Sequence, residues 1–346
     1  MTGVMTATVK TGAAATPKDA TRNQALDFSK GILVLFMVLY HWLNYFVVSD
    51  GMIYRYLRFI TPSFIFLTGF LIGSVYLTRY TLTEWRLYSR LVERGLKLLA
   101  IFTALNVGAA IVLRRGGDVT SAVGEFVRNL FSVYVVGSGE TAAFEVLVPI
   151  SYLIVLAAPL LFLSRWTKYV FHIACGISIV AVLWAGTHGV TIPNLELLSM
   201  GLLGFVLGYV PLSKINQLAL HWPFLILAYA GYLIGVTVWD VIYPLQVVGV
   251  CLTVTLIYLW GVVWRGEGGV LARILILGRY SLLAYIAQIV ILQILRKALG
   301  GMADGAGKMA VTFVAVLLLT QLTIEITEVC RSKWKSVDRL YKFVFA

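Results

Sequence analysis

The stretch DFSKGILVLFMVLYHWLN (27–44) places four polar side chains, Asp27, Lys30, His41 and Asn44, in an apolar run. Lys30 and His41 are eleven residues apart, which returns to nearly the same face of an α-helix and separates them by about 16 Å along its axis. Ionisable groups inside an apolar helix are costly and usually mark a functional site. An imidazole can accept a proton from a hydroxyl and return it to a leaving group. The pattern predicts a charged pair at one end of a helix and a proton-transfer group deeper inside. A buried histidine that is hydrogen-bonded to a neighbouring helix is the alternative for His41.

A second group of candidates is the run WRLYSRLVERGLKLL, in which basic residues recur at i, i+4, i+8 and i+11. This spacing places Arg86, Arg90, Arg94 and Lys97 on one face of a helix. Stacked guanidinium groups beside Lys30 would form a wall that binds phosphates. The alternative is a solvated basic flank of a membrane span, which needs charge but no common face.

The run GRYSLLAYIAQ (278–288) repeats this kind of pattern with uncharged groups, since Ser281, Tyr285 and Gln288 share a face at i, i+4 and i+7. Such a face suits the wall of a polar cavity, although hydrogen bonding between helices would explain it equally well. In PSFIFLTGFLIG, Gly69 and Gly73 form a pair of small residues that favours close packing on another helix.

The composition indicates the class of fold that holds these polar side chains in place. Of the 346 residues, 60% are hydrophobic and 13% are charged, and the mean hydropathy is +0.89. A soluble domain is about half apolar and a quarter charged, so the fold class is all-α, a polytopic membrane protein. The basic residues behind the net charge of +12 lie in short loops and not on one face, which argues against nucleic-acid binding. The three cysteines have no metal-ligand spacing, so we expect neither disulfides nor a metal site.

Apolar runs predict about ten membrane spans, and the excess of Lys and Arg in alternate loops predicts that the N- and C-termini are both cytoplasmic. We expect a disordered cytoplasmic tail at 1–21, a transmembrane domain at 22–335 and a cytoplasmic C-terminal tail at 336–346. The outer loop at about 114–142 favours a short interfacial helix. The predicted spans are 26–48, 57–77, 95–113, 143–163, 168–186, 196–213, 219–237, 243–264, 278–296 and 308–329.

These motifs together resemble the acyltransferase-3 superfamily of membrane acyltransferases. LDFSKGILVLFMVLYHWLNYF is similar to the family's first helix, with Lys30 in the place of an arginine, His41 in the place of a histidine and ten residues between the two. PSFIFLTGFLIG is similar to the "FF-x-x-SGF" motif, ERGLKLLAIF to R-x-x-R, with Arg94 and Lys97, and RYSLLAYIAQ to a late helix that ends in Y-L-x-H, with Tyr285 and Gln288. The segments LDFSKG and RGLKLL are also similar to segments of two relatives, the heparan-glucosaminide N-acetyltransferase catalytic domain and the succinyltransferases of periplasmic glucans.

The resemblance implies a multi-pass protein of the inner (plasma) membrane that moves an acyl group from cytoplasmic acyl-CoA to an extracytoplasmic carbohydrate or glycolipid. His41 would be the general base or the acyl acceptor, and Asp27, which would orient Lys30, and Asn44 would complete the catalytic set. Tyr285, Gln288 and Ser281 would bind the substrate. The donor phosphates would be held by Lys30, Arg90, Arg94 and Lys97.

Two readings from other classes stay open. A transporter or flippase for an anionic or glycan substrate would use the basic stripe as a passage and His41 as a proton relay. A relative that scaffolds without catalysis would also fit, because lysine keeps the charge of arginine but makes no bidentate phosphate contact.

Overall fold

A computed structural model of the chain is helical throughout the part that it describes, with no β-strand there. The described residues are 23–47, 52–76, 84–113, 124, 127, 131–137, 144–239, 241–264, 268–299 and 306–345. The helices, numbered in chain order, are α1 Gln24–Trp42, α2 Met52–Leu57, α3 Ile60–Leu71, α4 Trp85–Leu113, α5 Leu147–Leu163, α6 Val170–Thr187, α7 Pro193–Leu207, α8 Leu212–Gln217, α9 Trp222–Trp239, α10 Tyr243–Val263, α11 Gly269–Arg279, α12 Ser281–Ala298, α13 Ala306–Lys333 and α14 Lys335–Phe345.

The helices confirm an all-α membrane protein with several spans. A helix lies in each of the ten predicted ranges. Two apolar helices, α5 and α7, are shorter than a usual span. The total of ten and the cytoplasmic position of both termini stay predictions. Seven segments of the described chain are long and apolar enough to cross a bilayer, namely Gln24–Val47, Ile53–Ser74, Val170–Thr187, Leu212–Trp239, Tyr243–Val263, Ser281–Ala298 and Gly307–Lys333.

Helix α1 is the centre of the bundle and packs against α3, α10, α11, α12 and α13. Its first turn is capped by Asn23, whose side-chain oxygen accepts hydrogen bonds from the amides of Ala25 and Leu26 at 2.9 and 3.3 Å. Phe28 is buried against the rings of Trp260 and Trp264 on α10, at 5.6 and 5.7 Å between centroids. Because α1 is surrounded by other helices, its polar side chains face protein and not lipid.

Close contact between α3 and α7 depends on glycine. A Cβ on Gly69 would lie 1.9 Å from the carbonyl oxygen of Gly201, and a Cβ on Gly204 would lie 2.0 Å from that of Phe66. Gly73 is also close to α7, since its Cβ would lie 2.5 Å from the carbonyl oxygen of Phe205. Larger side chains would force the two backbones apart. This confirms the prediction that Gly69 and Gly73 serve helix packing.

The sequence did not predict α11, which lies in a segment that we expected to be a cytoplasmic loop. Likewise, the segment expected to be a C-terminal tail contains α14, which packs on α13. The predicted tail at 1–21 lies outside the described residues. So does most of the loop at 114–142, of which the longest described piece includes a π-helical turn, Ser132–Val136.

Candidate active site

His41 lies at the C-terminal end of α1 with its Nε2 atom buried. No described residue forms a hydrogen bond with that atom. Leaving a buried polar atom unpaired costs about 1–3 kcal/mol, so most such atoms in folded proteins have a partner. The alternative reading, a structural histidine that bonds a neighbouring helix, therefore has no support at Nε2.

Tyr285 on α12 is the aromatic neighbour of His41 across the helix interface. The two ring centroids are 6.0 Å apart, and Tyr285 is itself buried. Its hydroxyl lies close to the backbone of Val146 and near the carboxylate of Glu145. The contact shows that the predicted late-helix face and the predicted first-helix face meet at one place.

Gln288 lies one turn beyond Tyr285 on the same helix and is fully buried. Neither its amide nitrogen nor its amide oxygen has a hydrogen-bond partner among the described residues. A buried amide that pairs with nothing is unusual, because its donors and acceptor all lose their bonds to water. The amide of Gln288 and Nε2 of His41 are thus two buried polar groups without a hydrogen-bond partner among the described residues. Ser281 shares the face as predicted, but it is the first residue of α12 and lies nearer the end of the bundle.

Phe144 is a residue of this region that the sequence analysis missed. Its φ angle is +66°, in the left-handed region that a bulky residue rarely adopts, and its side chain is buried. The ring meets Tyr285 edge to face at 6.2 Å between centroids. Strained backbone of this kind is concentrated at functional sites, and here it supports the tyrosine that faces His41. The local sequence contains no signal that predicts a positive φ angle at Phe144.

Asp27 and Lys30 form a second site near the start of α1. The Lys30 ammonium lies 2.9 Å from a carboxylate oxygen of Asp27, and both side chains are largely buried. Asp27 precedes His41 by fourteen residues, about 21 Å along the axis. The structure therefore pairs Asp27 with Lys30, as the sequence analysis expected, and places both away from the imidazole of His41.

Asn44 leaves the common face. The predicted stripe holds from Asp27 to His41, with Val34 and Met37 buried between them. Beyond α1 the chain forms a π-helical turn, Leu43–Val47, in which each turn contains more residues, so the side chains there point in new directions. Asn44 is exposed there.

The four basic residues of α4 differ in their exposure to solvent. Arg86, Arg90 and Arg94 are exposed, whereas Lys97 is half-buried. Lys97 lies 2.9 Å from Glu93 and 5.3 Å from the centre of the Phe343 ring.

Helix α14 shows that the two basic groups lie at the same end of the bundle. Its Phe343 meets Lys97, while its Tyr341 packs on Tyr280 at 5.2 Å between ring centroids. Two residues before Tyr280, a Cβ on Gly278 would lie 1.7 Å from the carbonyl oxygen of Asp27. Lys97 and the Asp27–Lys30 pair are thus linked through α14 and α11.

A comparison with protein families identifies the group of proteins to which the chain is related. The acyltransferase-3 family model, described as an acyltransferase domain, matches residues 23–325. This range includes α1, the basic face of α4, the whole of α12 and most of α13. The chain belongs to the acyltransferase-3 family. No curated protein and no solved structure matches it. Membership of the family makes the protein a membrane acyltransferase in general terms.

Proposed function

We propose that this acyltransferase moves an acyl group from cytoplasmic acyl-CoA to a hydroxyl of an extracytoplasmic carbohydrate or glycolipid. The observation that carries the proposal is the buried Nε2 of His41, which has no partner among the described residues and lies beside Tyr285. A nitrogen base in this state can bind a hydroxyl of the acceptor directly. Family membership supports acyl transfer as the reaction class.

The donor would bind at the end of the bundle where Lys30 and the face of Arg90, Arg94 and Lys97 lie. Cationic side chains stabilise phosphate groups, and arginine does so with two parallel hydrogen bonds. Lys30 is already held in place by Asp27 at 2.9 Å. The stripe of α1 then leads about 16 Å deeper to His41, so the flexible arm of the donor can carry its thioester to the imidazole.

In the chemical step, His41 takes the proton of the acceptor hydroxyl as the oxygen attacks the thioester carbon. The negative charge that develops on the carbonyl oxygen needs a hydrogen-bond donor, and we assign that role to the hydroxyl of Tyr285, whose ring centroid lies 6.0 Å from that of the imidazole. The carbon–sulfur bond then breaks, and the thiolate of CoA leaves with the proton that His41 holds. The products are the acyl ester of the acceptor and free CoA, so the histidine returns to its starting state. If His41 accepts the acyl group itself, an acyl-imidazole precedes the ester.

The experiment that tests the proposal is acyl transfer by the purified protein, with acetyl-CoA and succinyl-CoA as donors and without any ion gradient. We expect release of free CoA that depends on an added glycan acceptor. His41→Ala should lower the rate at least about 100-fold, the usual contribution of a general base. His172→Ala is the matched control. His172 lies on α6 and not on α1, and it is exposed beside the ring of Tyr209.

The same assay separates the enzyme from a transporter. A transporter would move its substrate only in a sealed vesicle and would not consume acyl-CoA in detergent. Transfer by His41→Ala at the rate of the unaltered protein would overturn the assigned role of the histidine.

A further inference from the structure

Helix α14 has a basic sector and an apolar sector that its own sequence separates. Lys335, Arg339 and Lys342 follow one another at i, i+4 and i+7, within about 40° of one direction around the axis. Leu340 lies about 140° from that line, on the other side of the helix. The run from residue 331 to 345 contains five basic side chains and one acidic side chain, Asp338.

Contacts with the bundle hold this helix in a single orientation. The guanidinium of Arg331, near the end of α13, donates to a carboxylate oxygen of Asp338 from Nε at 3.0 Å and from Nη2 at 2.7 Å. It also lies 3.9 Å from the centre of the Tyr341 ring, which in turn packs on Tyr280. The Asp338 and Tyr341 side of α14 therefore faces protein, and the helix cannot roll to bury its other sectors.

The exposed residues of α14 and of the break before it are of two kinds, apolar and basic. Leu340 and Phe343 are 63% and 71% exposed, and Trp334, at the break between α13 and α14, is 57% exposed. Lys335 and Arg339 are exposed as well. Exposed large apolar side chains are unfavourable in water, so this edge of the helix requires an apolar environment beside a polar one.

The end of α13 places α14 at a membrane surface. Gly307–Lys333 is long and apolar enough to span a bilayer, and only Trp334 separates it from α14. Tryptophan is enriched at this level of a membrane, where its ring is apolar and its N–H is wet. A helix that starts one residue beyond a span begins at the level of the bilayer surface.

We propose that α14 is an interfacial helix that binds anionic phospholipids of the membrane surface. Lys335 and Arg339 contact the phosphate groups, while Leu340 inserts among the upper parts of the acyl chains. The occupant is a lipid because the basic residues and the apolar residues lie side by side at the height where phosphates and chains meet. This proposal is independent of the reaction that the protein catalyses.

The test uses the full-length protein in nanodiscs made of phosphatidylcholine alone or of phosphatidylcholine mixed with phosphatidylglycerol. Hydrogen exchange of the backbone amides of residues 335–345 is the readout. We expect exchange to slow on the order of tenfold in the anionic discs, and high salt to remove most of that difference, because attraction between basic residues and an anionic surface is screened.

The variant K335Q/R339Q should lose the difference between the two lipid compositions. The matched control is K168Q/K214Q, which removes the same charge from two exposed lysines elsewhere and should keep it. Equal exchange of the unaltered protein in the two discs would overturn the proposal. So would a lipid difference that survives in K335Q/R339Q.

Discussion

The carbonyl oxygen of Asp27 lies so close to Gly278 that a Cβ on residue 278 would be 1.7 Å from it. One turn further along α1, a Cβ on Gly31 would lie 2.1 Å from the carbonyl oxygen of Ile274. The backbones of α1 and α11 are therefore in direct contact where Asp27 holds Lys30. The position of the ion pair depends on the absence of side chains at these two glycines.

Substituting Gly278 by alanine should separate α1 from α11, since a backbone carbonyl cannot move aside as a flexible side chain can. We expect a loss of about 1–3 kcal/mol in the free energy of unfolding, measured as a lower thermal midpoint in detergent. Gly269→Ala is the control, because a Cβ at the first residue of α11 meets nothing within 4 Å. A thermal midpoint that Gly278→Ala leaves unchanged would show that the two helices are not packed as described.

Binding of acyl-CoA should depend on the two basic groups at the end of the bundle. Lys30→Ala and Arg94→Ala should each weaken binding by roughly 10- to 100-fold, the loss of one hydrogen bond between charged groups. Titration of the purified protein with acyl-CoA measures this. Arg165→Ala removes an exposed arginine that lies over the Phe162 ring, and it should bind the donor normally. If the donor binds equally well to all three variants, it does not occupy this end of the molecule.

Replacing Gln288 by methionine, a residue of similar volume, should have opposite effects on stability and on activity. The substitution removes a buried amide that has no partner among the described residues, so the free energy of unfolding should rise by about 1–3 kcal/mol. If the amide binds substrate, KM for donor or acceptor should rise at the same time.

The control for that pair of measurements is Gln293→Met on the same helix. Gln293 donates a hydrogen bond to the Tyr45 hydroxyl at 3.3 Å, so the same change there should give no gain in stability and no change in KM. A normal KM for Gln288→Met would exclude Gln288 from the substrate site.

Acid should loosen α14 through Asp338. Hydrogen bonds from Lys342 and Arg331 hold the pKa of the Asp338 carboxyl below its ordinary value of about 3.9. A lowered pKa in the folded state stabilises the docked helix fully above that ordinary value, and the stabilisation is lost as the pH falls through the lowered pKa. The protection of α14 amides from hydrogen exchange, corrected for the intrinsic rate, should therefore decrease below about pH 4.

Asp338→Asn should show the lower protection already at neutral pH and should respond little to acid. Protection of the unaltered protein that stays constant across this range would mean that the ion pairs do not hold the helix.

Much of the molecule could be predicted from the order of residue types. Apolar runs place helices because a backbone inside a bilayer must satisfy its hydrogen bonds within the helix. The eleven-residue spacing of Lys30 and His41 gives a common face because 3.6 residues per turn holds along α1. The pairing of Asp27 with Lys30 and the packing of Gly69 follow from the same local geometry. The motifs of four separate helices also indicate the family correctly.

Other features depend on contacts between segments that are far apart in the chain. The face at Tyr285 meets His41 only because α12 packs on α1, and the open amide of Gln288 is known only once every neighbour is in place. Asn44 leaves the stripe because a π-helical turn interrupts the regular helix, and Phe144 takes a positive φ that its sequence does not favour. Helix α11 is too short and too basic to be recognised as an apolar run. Residue types and their spacing thus determined the helices and their faces, and the resemblance of the motifs indicated the reaction class. The tertiary structure decided which faces meet and which polar atoms remain without a partner among the described residues, because both depend on non-local packing.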